Sequence, residues 1–118
     1  MTKHLAGYTQ FKDRDELDLA VHEQLEGNRI KTNRTDRALF KLIHSKSGSS
    51  LVTQLKHREM EEEMEVSDST VRRTIRKLIE LKMIRRVPFI DPATQGPGAN
   101  IYVILPVEKD GDADIMQE

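Results

Sequence analysis

Between Val66 and Ile84 the apolar residues fall at helical spacing. Val71, Ile75, Leu78 and Ile79 recur at intervals of three and four and draw one stripe down a helix, turning about 100° per residue. Ser67 precedes the stripe and can cap it, and Asp68 adds negative charge where the helix dipole favours it, so a helix is predicted over 68–81. Upstream, Leu17, Ala20, Val21 and Gln24/Leu25 fall on one side of a predicted helix over 13–25, capped by Asp13 or Asp15 and ended at Gly27. A second helix starts at Thr35, with Leu39, Leu42 and Ile43 inward and Ala38 and Phe40 at the edges, and stops in the turn-forming run Ser45 to Ser50. Residues 51–55 read either as a short extended segment or as the lead into the next helix. Residues 56–65 are helical by propensity, with Met60 and Met64 facing the core.

After the central helix the period changes. Residues 83–90 and 100–105 are rich in β-formers, among them Val87, Phe89, Ile101, Tyr102 and Val103, and Pro92, Gly96, Pro97 and Gly98 lie between them. That is a hairpin around a loop over 91–99. Pro88 cannot donate to a ladder, so its N side faces solvent or a bulge. Residues 1–12 carry no useful periodicity and read as an arm. The segment from 107 onward holds Glu108, Asp110, Asp112, Asp114 and Glu118 against Lys109 alone, the composition of a disordered tail.

Charge changes the picture more than composition does. The 118-residue chain has a formal net charge of -1, yet residues 67–86 carry Arg72, Arg73, Arg76, Lys77, Lys82, Arg85 and Arg86 against Asp68 and Glu80. On the central helix Ser69, Arg73, Arg76 and Glu80 lie opposite the apolar stripe, with Arg72 and Lys77 on the flanks. A face that begins small and polar and turns cationic suits phosphate and a groove. A hydrophobic fraction of 36% and no Trp imply a modest aliphatic core for one domain.

Several chemistries are set aside on residue type. Without cysteine there is no disulfide and no thiolate zinc site. Glu59, Glu61, Glu62, Glu63 and Glu65 sit on a continuous helix former rather than alternating around a glycine turn, so they read as a solvated acidic face, not a calcium loop. His4, His22, His44 and His57 are scattered, and neither a nucleophile motif nor a glycine-rich phosphate loop occurs, so no enzyme, cofactor or metal is expected. No apolar run approaches the roughly 18 residues of a membrane span, and the first residues lack a signal peptide's apolar centre. A soluble intracellular protein is expected.

The order of helix, helix, tight turn, basic helix and hairpin resembles the winged helix-turn-helix DNA-binding family. Three segments carry the resemblance. Met64 to Arg73 is similar to the turn and start of the recognition helix, Leu78 to Val87 to the exit into the first wing strand, and Gly96 to Pro106 to the second wing strand. Regulators and replication proteins borne by plasmids, phages and chromosomes of Gram-positive bacteria have such segments. The chain departs from the family at Glu61, where a small residue is usual, and at Glu65 and Lys82, where glycine is usual.

The resemblance implies a mainly α fold with a small β-hairpin, a winged helix-turn-helix over 33–106 with an extra N-terminal helix within 1–32 and an acidic tail over 107–118. It implies a double-stranded DNA partner, with Ser69, Arg72, Arg73 and Arg76 as base readers and Thr70, Lys77, Arg85 and Arg86 on phosphates. The wing, which has no cation between 91 and 100, offers Thr94, Gln95 and Asn100; it or the tail could instead serve a protein partner. Transcriptional regulation is the leading expectation, with replication-origin or partition-site binding and a protein-interaction module as alternatives. A homodimer is expected because one recognition helix reads few base pairs. The stripe of the N-terminal helix either forms that dimer or packs on its own domain.

Overall fold

The computed structural model of the protein describes residues 9–89 and 99–107. Within them lie four helices, α1 (Arg14–Gly27), α2 (Arg34–Ser45), α3 (His57–Met64) and α4 (Asp68–Glu80), and three strands, β1 (Thr53–Leu55), β2 (Ile84–Val87) and β3 (Asn100–Ile104). The strands form one antiparallel sheet in the order β1-β3-β2. The hairpin expected from the sequence is therefore the larger part of a three-stranded sheet. Thr53, too short a run to declare itself, pairs with Tyr102, and its hydroxyl donates to the Ile43 carbonyl at the end of α2.

The four helices and the sheet enclose a single main core. Phe40, Ile43, Leu55, Met60, Val71, Ile75, Leu78, Ile84, Tyr102 and Ile104 all belong to it. The alternation of strand side chains puts Ile84, Arg86, Tyr102 and Ile104 on the helix-facing side. Val87, Ile101 and Val103 go to the other side, where they form a smaller apolar cluster with Val52. Pro88, just past β2, is exposed.

Two details of the helices differ from the sequence reading. Asn33, not Thr35, caps α2: its side chain accepts from the Asp36 N–H (2.8 Å) while Asp36 accepts from the Asn33 N–H (3.0 Å), a reciprocal capping box. Starting the helix two residues earlier leaves the stripe nearly unchanged, but Phe40 is fully buried and Leu42 only partly so. The larger ring takes the core position, and Leu42 is left at the edge.

Helix α1 is capped by Asp13, which accepts from the Glu16 N–H (3.0 Å), and its apolar stripe is buried on its own domain. Leu17 and Val21 enter the main core. Polar anchors hold both ends and the middle. The Arg14 guanidinium donates to Ser47 and to the Gly48 carbonyl, Asp18 lies 2.8 Å from the His44 ring, and buried Gln24 donates to the carbonyls of Leu105 (2.7 Å) and Lys82 (3.2 Å). The Gln24 contacts tie α1 to the exit of α4 and the end of β3. Among the described residues, the large apolar side chains that stay exposed are Leu19 on α1 and Ile30 just beyond it.

Candidate nucleic-acid interface

The candidate interface is built on α3, the turn after it and α4. Three residues, Glu65 to Ser67, separate the two helices. The turn is made by Glu65 in the left-handed conformation (φ 57, ψ 48), with the Val66 N–H returning to the Glu61 carbonyl (3.2 Å). Lys82 does the same at the exit of α4 (φ 62): the Met83 N–H reaches the Leu78 carbonyl and the Lys82 N–H the Ile79 carbonyl, both at 3.0 Å. Thus both positions where the resemblance expects glycine keep the glycine backbone. A side chain there costs on the order of 1–2 kcal/mol per residue, which the apolar packing around Met60, Val71 and Leu78 overrides.

Ser67 caps α4, its hydroxyl accepting from the Thr70 N–H (3.3 Å), as the sequence predicts. Val71, Thr74, Ile75 and Leu78 are buried, with Thr74 an addition to the predicted stripe, and the opposite face carries exposed Ser69, Arg72, Arg73, Arg76 and Glu80. The predicted base readers therefore share one solvent face. Arg72 is braced by Asp68 one turn back (3.0 Å), while Arg73 and Arg76 have no ion-pair partner among the described residues.

The four predicted phosphate residues separate. Lys77 turns inward, its ammonium 2.7 Å from Asp36 Oδ2 on α2, and Asp36 is buried. Thr70 is half-buried, its hydroxyl 3.0 Å from that of Ser67. Arg85 and Arg86 are adjacent on β2 and so project from opposite sides of the sheet. Only Arg86 is on the side of α4; Arg85 pairs across the ladder with Val103 on the other. Strand alternation alone separates these two, and it was available in the sequence.

Arg86 meets α4 at a cleft of about 510 Å³ lined by His57, Arg72, Arg76, Ile79, Glu80 and Asn100 as well. Asn100, predicted for the wing, thus opens β3 beside α4; Thr94 and Gln95 lie outside the described residues, as do residues 108–118. Tyr102 is the cross-strand neighbour of Arg86. Its hydroxyl is buried with no hydrogen-bond partner among the described residues, and burial pushes the phenol above its ordinary value of 10.0, while the nearby Asn100 side chain and Arg86 guanidinium pull it down. His57 and Asn100 were not linked to this site by sequence spacing, since they come together only through the β1–β3 pairing.

A second groove, of about 570 Å³, runs between α2 and the α3–α4 turn over Ala38, Leu42, Met64 and Val66. Among the described residues no cluster of three or more His, Asp or Glu is placed to hold a metal ion, and no helix is long and apolar enough to cross a membrane. Comparison of the chain with protein-family models, with curated proteins and with solved structures gives no match to any of them.

Proposed function

We propose that the protein is a winged helix-turn-helix regulator that binds double-stranded DNA by sequence, with α4 in the major groove. One observation supports this most directly: α4 buries Val71, Thr74, Ile75 and Leu78 on one face and presents Ser69, Arg72, Arg73 and Arg76 on the other, after a three-residue turn and before an antiparallel sheet. A helix held in this way can enter a groove as a rigid body. Arg73 is the leading base reader, since it is exposed and unpaired among the described residues, and a guanidinium fork matches the O6 and N7 acceptors of guanine. Ser69, nearer the N-terminus of the helix, can donate to or accept from a base edge. Lys77 leaves the DNA-contacting set because Asp36 holds it.

A homodimer on a two-fold site accompanies this reading. With the α1 stripe buried, the outward side of α1 and the segment after it, carrying Leu19 and Ile30, is the surface left for it. Regulation of transcription in the cytoplasm, at the nucleoid, is the proposed role. Selection of bound duplexes from a random pool by the purified protein tests the proposal: recovery of a shared motif, with its symmetry reporting the dimer, supports it, and recovery of no motif contradicts it.

A further inference from the structure

We infer that the cleft between α4 and the β2–β3 side of the sheet is a seat for one backbone phosphodiester of the bound nucleic acid, gripped by Arg76 from the helix and Arg86 from the strand. The inference rests on the DNA-binding reading and assigns a separate role to part of its cationic face. Three arginines, Arg72, Arg76 and Arg86, and His57 line the cleft with one acidic residue, Glu80. Arg72 is already engaged by Asp68 at 3.0 Å, whereas neither Arg76 nor Arg86 has an ion-pair partner among the described residues. Two unpaired guanidiniums brought into one concavity by different elements repel each other, and an anion between them removes that repulsion. Asn100 lines the same cleft, and Ile79 gives an apolar wall against which a sugar can rest.

The shape decides between phosphate and base. A base edge lies on the floor of a groove and is read by side chains projecting from a convex surface, the role that the DNA reading gives to the exposed Arg73 and Ser69. A phosphate projects from the duplex and enters a concave site, and its tetrahedral oxygens accept from two guanidinium forks approaching from different directions. Arg76 is accordingly a phosphate contact rather than a base reader. Because Arg85 leaves the same strand toward the opposite side of the sheet, it takes no part in the seat and serves as its internal control.

The test uses the full chain and reads the arginine Nε–Hε resonances. Inorganic phosphate, added at constant ionic strength against chloride, is expected to shift the Arg76 and Arg86 signals saturably, to leave Arg73 unmoved, and to lose the effect in Arg86→Gln. With duplex DNA, Arg86→Gln is expected to lower the slope of log K against log salt by about 0.9, the value for one phosphate, equally on selected and scrambled duplexes, and Arg85→Gln to leave it unchanged. Arg76→Gln repeats the measurement from the helix side should Arg86→Gln not fold. Duplex binding with the wild-type slope retained in Arg86→Gln and Arg76→Gln overturns the seat and leaves the DNA reading standing. Saturable phosphate binding without duplex binding overturns the DNA reading and the nucleic-acid assignment of the seat with it, and shifts that chloride reproduces show that no seat exists.

Discussion

The Lys77 ammonium lies 2.7 Å from Asp36 Oδ2, the same oxygen that accepts from the Asn33 N–H (3.0 Å). One buried carboxylate therefore closes the cap of α2 and fixes the register of α4 against it. The Lys77 side chain is 38% exposed while Asp36 is buried, so removing the lysine leaves the carboxylate, among the described residues, with only its backbone donor. For a fully buried pair such a loss costs ~3–5 kcal/mol; solvent access to Lys77 reduces the expectation here to about 1–3 kcal/mol. Urea unfolding of Lys77→Ala should show that loss, while the salt slope of DNA binding stays at the wild-type value. A lowered slope with unchanged stability would return Lys77 to the phosphate contacts.

Arg73→Ala should relax specificity rather than weaken binding uniformly. Loss of one bidentate contact removes ~1–3 kcal/mol of discrimination at one base pair. Competition between the selected duplex and single-base variants, measured for wild type and Arg73→Ala, checks this. Equal loss on every variant and on scrambled DNA would make Arg73 a phosphate contact.

Glu65→Gly should stabilise the domain. The left-handed backbone at Glu65 (φ 57) is free of strain for glycine, which removes about 1–2 kcal/mol of steric cost, while the added flexibility of the unfolded chain takes back about 0.4–1 kcal/mol. The net gain of up to about 1.6 kcal/mol raises the thermal midpoint, by roughly 4–8 °C per kcal/mol in domains of about 60–100 residues and less in larger ones. A fall in the midpoint would show that the Glu65 side chain contributes something that the turn geometry does not reveal.

Tyr102→Phe should be neutral to stabilising, because it removes a buried hydroxyl that has no partner among the described residues and keeps the ring. An unsatisfied buried group costs ~1–3 kcal/mol. The same substitution has a signature in pH. The phenol's folded-state pKa is raised above 10.0, so the folded chain holds that proton where the unfolded chain has released it. Below pH 10.0 the phenol is protonated in both states and its titration leaves stability unchanged; as pH rises above 10.0 wild-type stability falls. Stability of Tyr102→Phe should therefore fall less steeply than wild type on the alkaline side, and parallel curves would contradict the burial of the phenol.

Much of this architecture was legible in the chain. The stripe of Val71, Ile75 and Leu78, the Ser67 cap and the β-formers on either side of 91–99 are local signals, and the helices and the two longer strands follow them. What escaped was non-local. Strand β1 is three residues long and is defined by pairing with β3, and Asp36 becomes a buried anchor only because α4 delivers Lys77 to it. Gln24 shares the end of the apolar stripe with Leu25 in the sequence pattern, and in the fold it is the donor that docks α1 on two carbonyls 58 and 81 residues away. In the candidate site the cationic helix face was readable from spacing, whereas the cleft joining Arg76, Arg86 and Asn100 needed the sheet to be folded against α4.

The most direct measurement is a backbone amide shift map of the labelled protein with and without its selected duplex. DNA reading by α4 predicts perturbations concentrated at Ser69, Arg72, Arg73 and Arg76, continuing to Arg86 and Asn100, with Arg85 and the groove around Ala38 and Met64 unaffected. Perturbations centred on that groove, or none on α4 under conditions where the duplex is bound, would contradict it.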